Sequence, residues 1–209
     1  MVAAWGNVSA RLAVWIDLSQ KDAKSPDLNQ TERVLFTPSG MDYNQLQASD
    51  LVLTDLEGGI IQGHRRPSTE MLLHLAIYRQ RPDVRAIVHT HSLFASILAV
   101  AGLTLPPILD ELAQRLGGAV PIGEYAASGT EDLANNTVKA LGQGRAVLLA
   151  NHGLIGVGET LDEALLICQL VEKGSQVYTY SRMLGEPKIL NPVQVQDLYD
   201  RHTNHYGQR

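Results

Sequence analysis

The sequence predicts a mixed α/β protein whose sheet is antiparallel on at least one side. Three observations carry this. Short aliphatic or β-branched runs alternate with longer amphipathic stretches, the pattern of strands interleaved with helices. Strand-like runs near the start are too close together for helical crossovers and must return as hairpins. The segment Leu56-Glu57-Gly58-Gly59 between two such runs supplies a turn, with glycines that accept positive φ.

The expected strands are residues 11–16, 34–37, 51–54, 60–62, 84–89, 146–150 and 154–157. Residues 19–31 read as a long polar loop. The first helix is expected over 68–80, opened by Pro67 and stopped ahead of Pro82. Helices over 92–100 and 130–141 each start at a hydroxyl residue suited to N-capping, Ser92 and Thr130. The longest helix, 160–184, opens with Thr160-Leu161-Asp162-Glu163, a capping-box arrangement. Its stretch 164–171 is apolar nearly all round, which predicts burial on several sides or at a subunit contact. Pro187 and Pro192 interrupt the chain before a last polar helix, 193–205.

Composition narrows the function. The chain has 209 residues, 44% hydrophobic and 19% charged, enough for a sizeable core in one domain. A net charge of −5 without a basic run argues against nucleic acid as partner. The longest apolar runs, such as 146–150, have strand length, so no membrane partner is expected. One cysteine, Cys168, excludes an intrachain disulfide and a thiolate metal cluster, and fits a reducing cytoplasm.

The run VRAIVHTH, residues 84–91, carries the chemistry. Side chains on a strand repeat every two residues, so His89 and His91 face one way and Thr90 the other. Two imidazoles on one face can grip one metal ion. His152, in Asn151-His152-Gly153 after the strand 146–150, is placed to be the third ligand. Zinc commonly takes three histidines and keeps one position open; another divalent ion is compatible. His64, His74, His202 and His205 read as structural or solvated. Glu70, expected in the first turn of a helix, is either a carboxylate favoured by the helix dipole or a metal-adjacent general base. Ser68 and Thr69 in the same turn, and the turn Thr37-Pro38-Ser39-Gly40, offer hydroxyls and amides for a phosphate.

Five motifs in order, GNVSAR (6–11), TPSGMDY (37–43), RPSTE (66–70), VHTH (88–91) and NHGLI (151–155), resemble the class II aldolase and adducin head family across the chain. Within it, the branch of the L-fuculose-phosphate aldolases is nearest. The resemblance implies a three-layer α/β/α domain over 1–209 with a central, largely antiparallel sheet. It also implies a homotetramer with active sites between subunits. It assigns zinc to His89, His91 and His152, with Glu70 as acid-base group and possible fourth ligand. It assigns the phosphate of a sugar-phosphate substrate to Asn7, Ser39, Gly40, Ser68 and Thr69, and a C-terminal catalytic tyrosine to Tyr206. The implied reaction is cleavage of a ketose 1-phosphate to dihydroxyacetone phosphate and an aldehyde. The related epimerases and dehydratases keep the histidines but typically differ at position 70, and the adducin-like modules typically lack the histidines. Two departures stand out: Met1 falls almost directly before the first motif, where the family usually has a helix. Glu111 and Ser128 align approximately where aromatic side chains are expected near the substrate.

Overall fold

The structure, a computed structural model, describes residues 6–12 and 32–205. Within them lie eight strands: β1 (Asn7–Leu12), β2 (Arg33–Phe36), β3 (Val52–Asp55), β4 (Ile60–Gln62), β5 (Ala86–Thr90), β6 (Ile122–Gly123), β7 (Ala146–Leu149) and β8 (Gly153–Gly158). They form one sheet in the order β4-β3-β2-β1-β5-β8-β7-β6. Among its pairings only β6 with β7 is parallel.

Six helices cover the two faces: α1 (Met71–Gln80), α2 (Leu93–Ala101), α3 (Asp110–Leu116), α4 (Glu131–Leu141), α5 (Leu161–Leu184) and α6 (Pro192–His205). Alternation along each strand divides the core. Ile87, Val147, Leu149 and Ile155 pack with Leu73 and Ile77 of α1 and Leu133 of α4. Their neighbours Ala86, Val88, Leu148 and Leu154 pack on the opposite face with Leu98 of α2, Leu112 of α3 and Ile167 of α5. The helix–sheet–helix arrangement is the one expected. No described helix is long and apolar enough to cross a membrane.

Several local expectations are corrected. The first strand was expected over 11–16, but β1 spans Asn7–Leu12; residues 13–31, including the expected loop, lie outside the described ones. The inward residues of β1 are Asn7, Ser9 and Arg11, all polar and buried, so hydrophobic alternation does not mark it. The first helix begins at Met71 rather than Ser68, because Ser68 N donates to Thr37 O and Pro38 bridges Pro67 in extended pairing. Ser92 makes no side-chain cap; the Glu172 carboxylate of α5 instead accepts from Phe94 N and Ala95 N. Thr130 and Thr160 do cap α4 and α5. Glu163, however, bonds Glu159 N and Arg145 rather than closing the expected box onto Thr160. Of the apolar middle of α5, Ile167, Cys168 and Val171 are buried while Leu165 stays open in this chain.

Register brings distant segments to one end of the sheet. Asn7 of β1 lies opposite His89 of β5, and Thr90 lies opposite Leu154 of β8. The start of β1, the end of β5, the β7–β8 turn and the start of α1 therefore converge.

Candidate metal centre

His89 and His91 leave the end of β5 on one side, as their spacing predicts, and His152 reaches them from the β7–β8 turn. That turn is Ala150-Asn151-His152, with Asn151 left-handed at φ 56°, a conformation asparagine adopts more readily than most residues. His152 N closes it by donating to Leu149 O at 3.0 Å. Gly153 follows for a steric reason rather than for flexibility. A Cβ there would stand 2.4 Å from Thr90 O and 3.2 Å from ring carbons of both His89 and His91.

The three imidazoles form a near-regular triangle, with ring centroids 4.7, 4.9 and 4.8 Å apart and each pair edge-on. His89 Nε2 lies 2.8 Å from His91 Nε2. Glu70 completes the group: Oε2 is 3.1 Å from His89 Nε2 and Oε1 is 3.1 Å from His152 Nε2. One ligand atom from each of Glu70, His89, His91 and His152 lies within 4.8 Å of all the others.

The donor chemistry fits a cation. His89 Nδ1 lies 3.0 Å from Leu154 O. A carbonyl only accepts, so Nδ1 is the donor there and Nε2 is the ring nitrogen turned toward Glu70 and His91. Burial, and then the positive charge of His89, lowers His91 to about 4 and lowers His152 as well. Both rings are therefore in the neutral, ligating form at neutral pH. Burial alone would raise the Glu70 carboxyl. Its hydrogen bond and charge contact with His89, the charge of His152 and the Asn7 amide outweigh that and hold it well below the usual carboxylate range. Three imidazole lone pairs and a buried carboxylate converging on one point call for a positive charge between them.

Glu70 occupies the N-cap position of α1 without a side-chain cap bond, so its carboxylate does not serve the helix. It accepts instead from Asn7 Nδ2 at 2.8 Å and Ser128 Oγ at 3.0 Å, while Glu70 N donates to Ser68 Oγ at 3.2 Å. Beside it opens a cavity of about 410 Å³ that Asn7, Ser39, Gly40, Ser68, Thr69, Ser128, His91 and His152 help to line. All five residues expected at a phosphate thus reach one cavity, and among the described residues its lining holds no lysine or arginine. Asn7, however, spends an amide hydrogen on Glu70.

Other expected residues fall elsewhere. Glu111 pairs with Lys173 at 2.6 Å on α3 and does not line the cavity. His64 is exposed near Asp50, 3.7 Å away. His74 is fully buried, with Nδ1 2.7 Å from Ser9 Oγ. Tyr206 lies outside the described residues. The contacts of Asn7 and Ser128 with Glu70 escape sequence reasoning. Only the pairing of β1 with β5 could have revealed the first, and no local signal points to the second.

Residues 1–179 match the family profile described as Class II Aldolase and Adducin N-terminal domain. The chain is similar to a 5-deoxy-D-ribulose 1-phosphate aldolase of Bacillus thuringiensis serovar kurstaki, 36% identical over 84% of this chain and 82% of that protein. It is also similar to a 5-methylthioribulose-1-phosphate/5-deoxyribulose-1-phosphate aldolase of Rhodospirillum rubrum, 35% identical over 87% of this chain and 82% of that one. Among solved structures, an L-fuculose 1-phosphate aldolase superposes with a TM-score of 0.85 at 32% identity, covering 97% of this chain and 88% of that one.

Proposed function

The chain belongs to the class II aldolase and adducin N-terminal domain family, and we propose that it is a zinc-dependent aldolase cleaving a ketose 1-phosphate to dihydroxyacetone phosphate and an aldehyde. The observation that carries this is the convergence of His89, His91, His152 and Glu70 beside a cavity lined in part by serine and threonine residues. The substrates named for the similar proteins, 5-deoxyribulose 1-phosphate and L-fuculose 1-phosphate, share a phosphate one carbon from a ketone, which is the form this cavity suits.

His89, His91 and His152 would hold a divalent ion, which would supply Lewis-acid polarisation of the substrate carbonyl. Ser39, Gly40, Ser68 and Thr69 bind the phosphate through neutral donors and orient the carbonyl toward the histidines. Asn7 holds the Glu70 carboxylate at that end of the cavity. In the cleavage direction the hydroxyl proton leaves, the carbon–carbon bond breaks, and the electron pair remains on the dihydroxyacetone phosphate fragment as an enediolate. Glu70, a carboxylate at rest, relays a proton from solvent to that carbon, which balances the hydroxyl proton lost from the other fragment. We assign the departing hydroxyl proton to Tyr206. Leu93, Val100, Met183 and Leu184 are exposed in the single chain, apolar surface that fits subunit contacts in a cytoplasmic homotetramer with its sites at the interfaces.

The test is a panel of ketose 1-phosphates assayed for aldehyde release, with metal content measured alongside. Cleavage that stops with chelator and returns with zinc is expected. Equal turnover of the unphosphorylated sugars, or turnover indifferent to chelator, would sink the proposal.

A further inference from the structure

Three side chains on one face of β1, Asn7, Ser9 and Arg11, meet one face of α1. Asn7 donates to Glu70 at the N-terminus of the helix. Ser9 Oγ lies 2.7 Å from His74 Nδ1 and 2.8 Å from the Tyr78 hydroxyl. Arg11 donates to Tyr78 O, and its guanidinium carbon stands 5.0 Å from the Tyr78 ring centroid. Two strand residues advance about 6.7 Å and four helix residues about 6.0 Å, so the steps stay matched over this length. The result is a polar ladder that runs from the metal centre into the core, with Glu70 in its top rung. Apolar packing is non-directional and tolerates small slips. A hydrogen-bonded rung does not, because a slip leaves buried donors and acceptors unpaired. Shifting α1 along its axis would break the rungs together.

We propose that Ser9, His74 and Tyr78 are positioning residues, whose hydrogen bonds fix the axial register of α1 on β1 and thereby the place of the Glu70 carboxylate beside the histidines. This rests on the reading of Glu70 as the group that moves the proton. Ser9 is the hub, since its one hydroxyl serves two helix residues a turn apart.

The experiment uses full-length, metal-loaded protein carrying Ser9→Ala, Glu70→Gln or both. Ser9→Ala is expected to keep metal content and KM within about twofold and to lose about a hundredfold in kcat, the scale of a misplaced reacting group. With Glu70→Gln already present, Ser9→Ala is expected to cost no further rate, because its effect passes through Glu70. A crystal structure of Ser9→Ala is expected to show the carboxylate displaced from Asn7 and His89, a readout independent of activity. Wild-type kcat in Ser9→Ala, an equal loss on top of Glu70→Gln, or an unmoved carboxylate overturns the proposal. Wild-type kcat in Glu70→Gln alone overturns the reading of Glu70 instead, and the register is still read from the crystal structure. Where Ser9→Ala fails to fold, Tyr78→Phe, which keeps the ring beside Arg11 and removes one hydroxyl, is scored against the same outcomes.

Discussion

Replacing Glu70 by glutamine separates proton transfer from metal binding. In the wild type, Oε2 accepts from Asn7 Nδ2 at 2.8 Å and Oε1 accepts from Ser128 Oγ at 3.0 Å. The asparagine nitrogen only donates, so the glutamine oxygen must take the place facing Asn7. The new amide group then faces Ser128, whose hydroxyl turns to accept. Both bonds survive without charge assistance, at a cost of about 1 kcal/mol each. The three imidazoles are unchanged, and with a water they still complete a tetrahedral shell. Metal content should therefore match the wild type. Turnover should fall by about a hundred- to ten-thousandfold, roughly 3–5 kcal/mol on the barrier. The assay is exchange of one hydroxymethyl hydrogen of dihydroxyacetone phosphate with deuterated water, followed by NMR. It needs no aldehyde and so does not depend on which ketose is the substrate. Exchange at the wild-type rate by a fully metallated variant would refute the assignment, and Glu70 would be left holding the metal centre without moving protons.

Gly153→Ala should lower metal affinity and cost about 1–3 kcal/mol of stability, since its Cβ would press on Thr90 O and both neighbouring histidine rings; unchanged metal affinity in a competition titration would contradict the crowding. Ser39→Ala removes one donor to an anion, worth about 1.5–3 kcal/mol, and should raise KM roughly ten- to a hundredfold for a phosphorylated ketose, with no such rise for its unphosphorylated analogue. His74 lies at about 3 in the fold, first through burial, against 6.5 when unconstrained. Because the unfolded chain takes the proton first, the stability it contributes is complete above about pH 6.5 and drains away toward pH 3. Between pH 7 and 5 that amounts to about 2 kcal/mol. Denaturant midpoints of the metal-free protein should therefore fall more for wild type than for His74→Leu over this interval, and parallel profiles would contradict the account.

The candidate metal centre is legible because its signal is local and periodic. His89 and His91 sit two residues apart on a strand, and His152 follows an unbroken aliphatic run that ends in a turn. β1 was misplaced because its inward residues are Asn7, Ser9 and Arg11. A strand that buries polar groups against polar partners shows the inverse of the pattern that hydrophobic alternation detects. Glu70 was read as a helix residue because Pro67-Ser68-Thr69 suits a helix start. The pairing of Ser68 with Thr37 delays the helix to Met71 and frees the carboxylate, and a partner that distant leaves no local trace. α3 and β6 are seven and two residues long, too short for periodicity to register. The capping of α2 by Glu172 depends on packing between two helices far apart in the chain.

The strand order has a kinetic consequence. The ligands stand on β5 and on the turn into β8, and the groups that hold Glu70 stand on β1 and beyond β6. Bringing His152 and Glu70 to the His89–His91 pair closes long loops, so most of the entropy of chain closure must be spent before the full set of ligands meets. An ion added during refolding therefore finds only the two imidazoles of β5, which tie no distant segments together, and the folding rate should hardly respond to it. Once formed, the same centre ties β5, the β7–β8 turn and the head of α1 into one knot that must loosen before the sheet can open. The ion should act as a brake on unfolding alone, lengthening the life of the native state without hastening its birth.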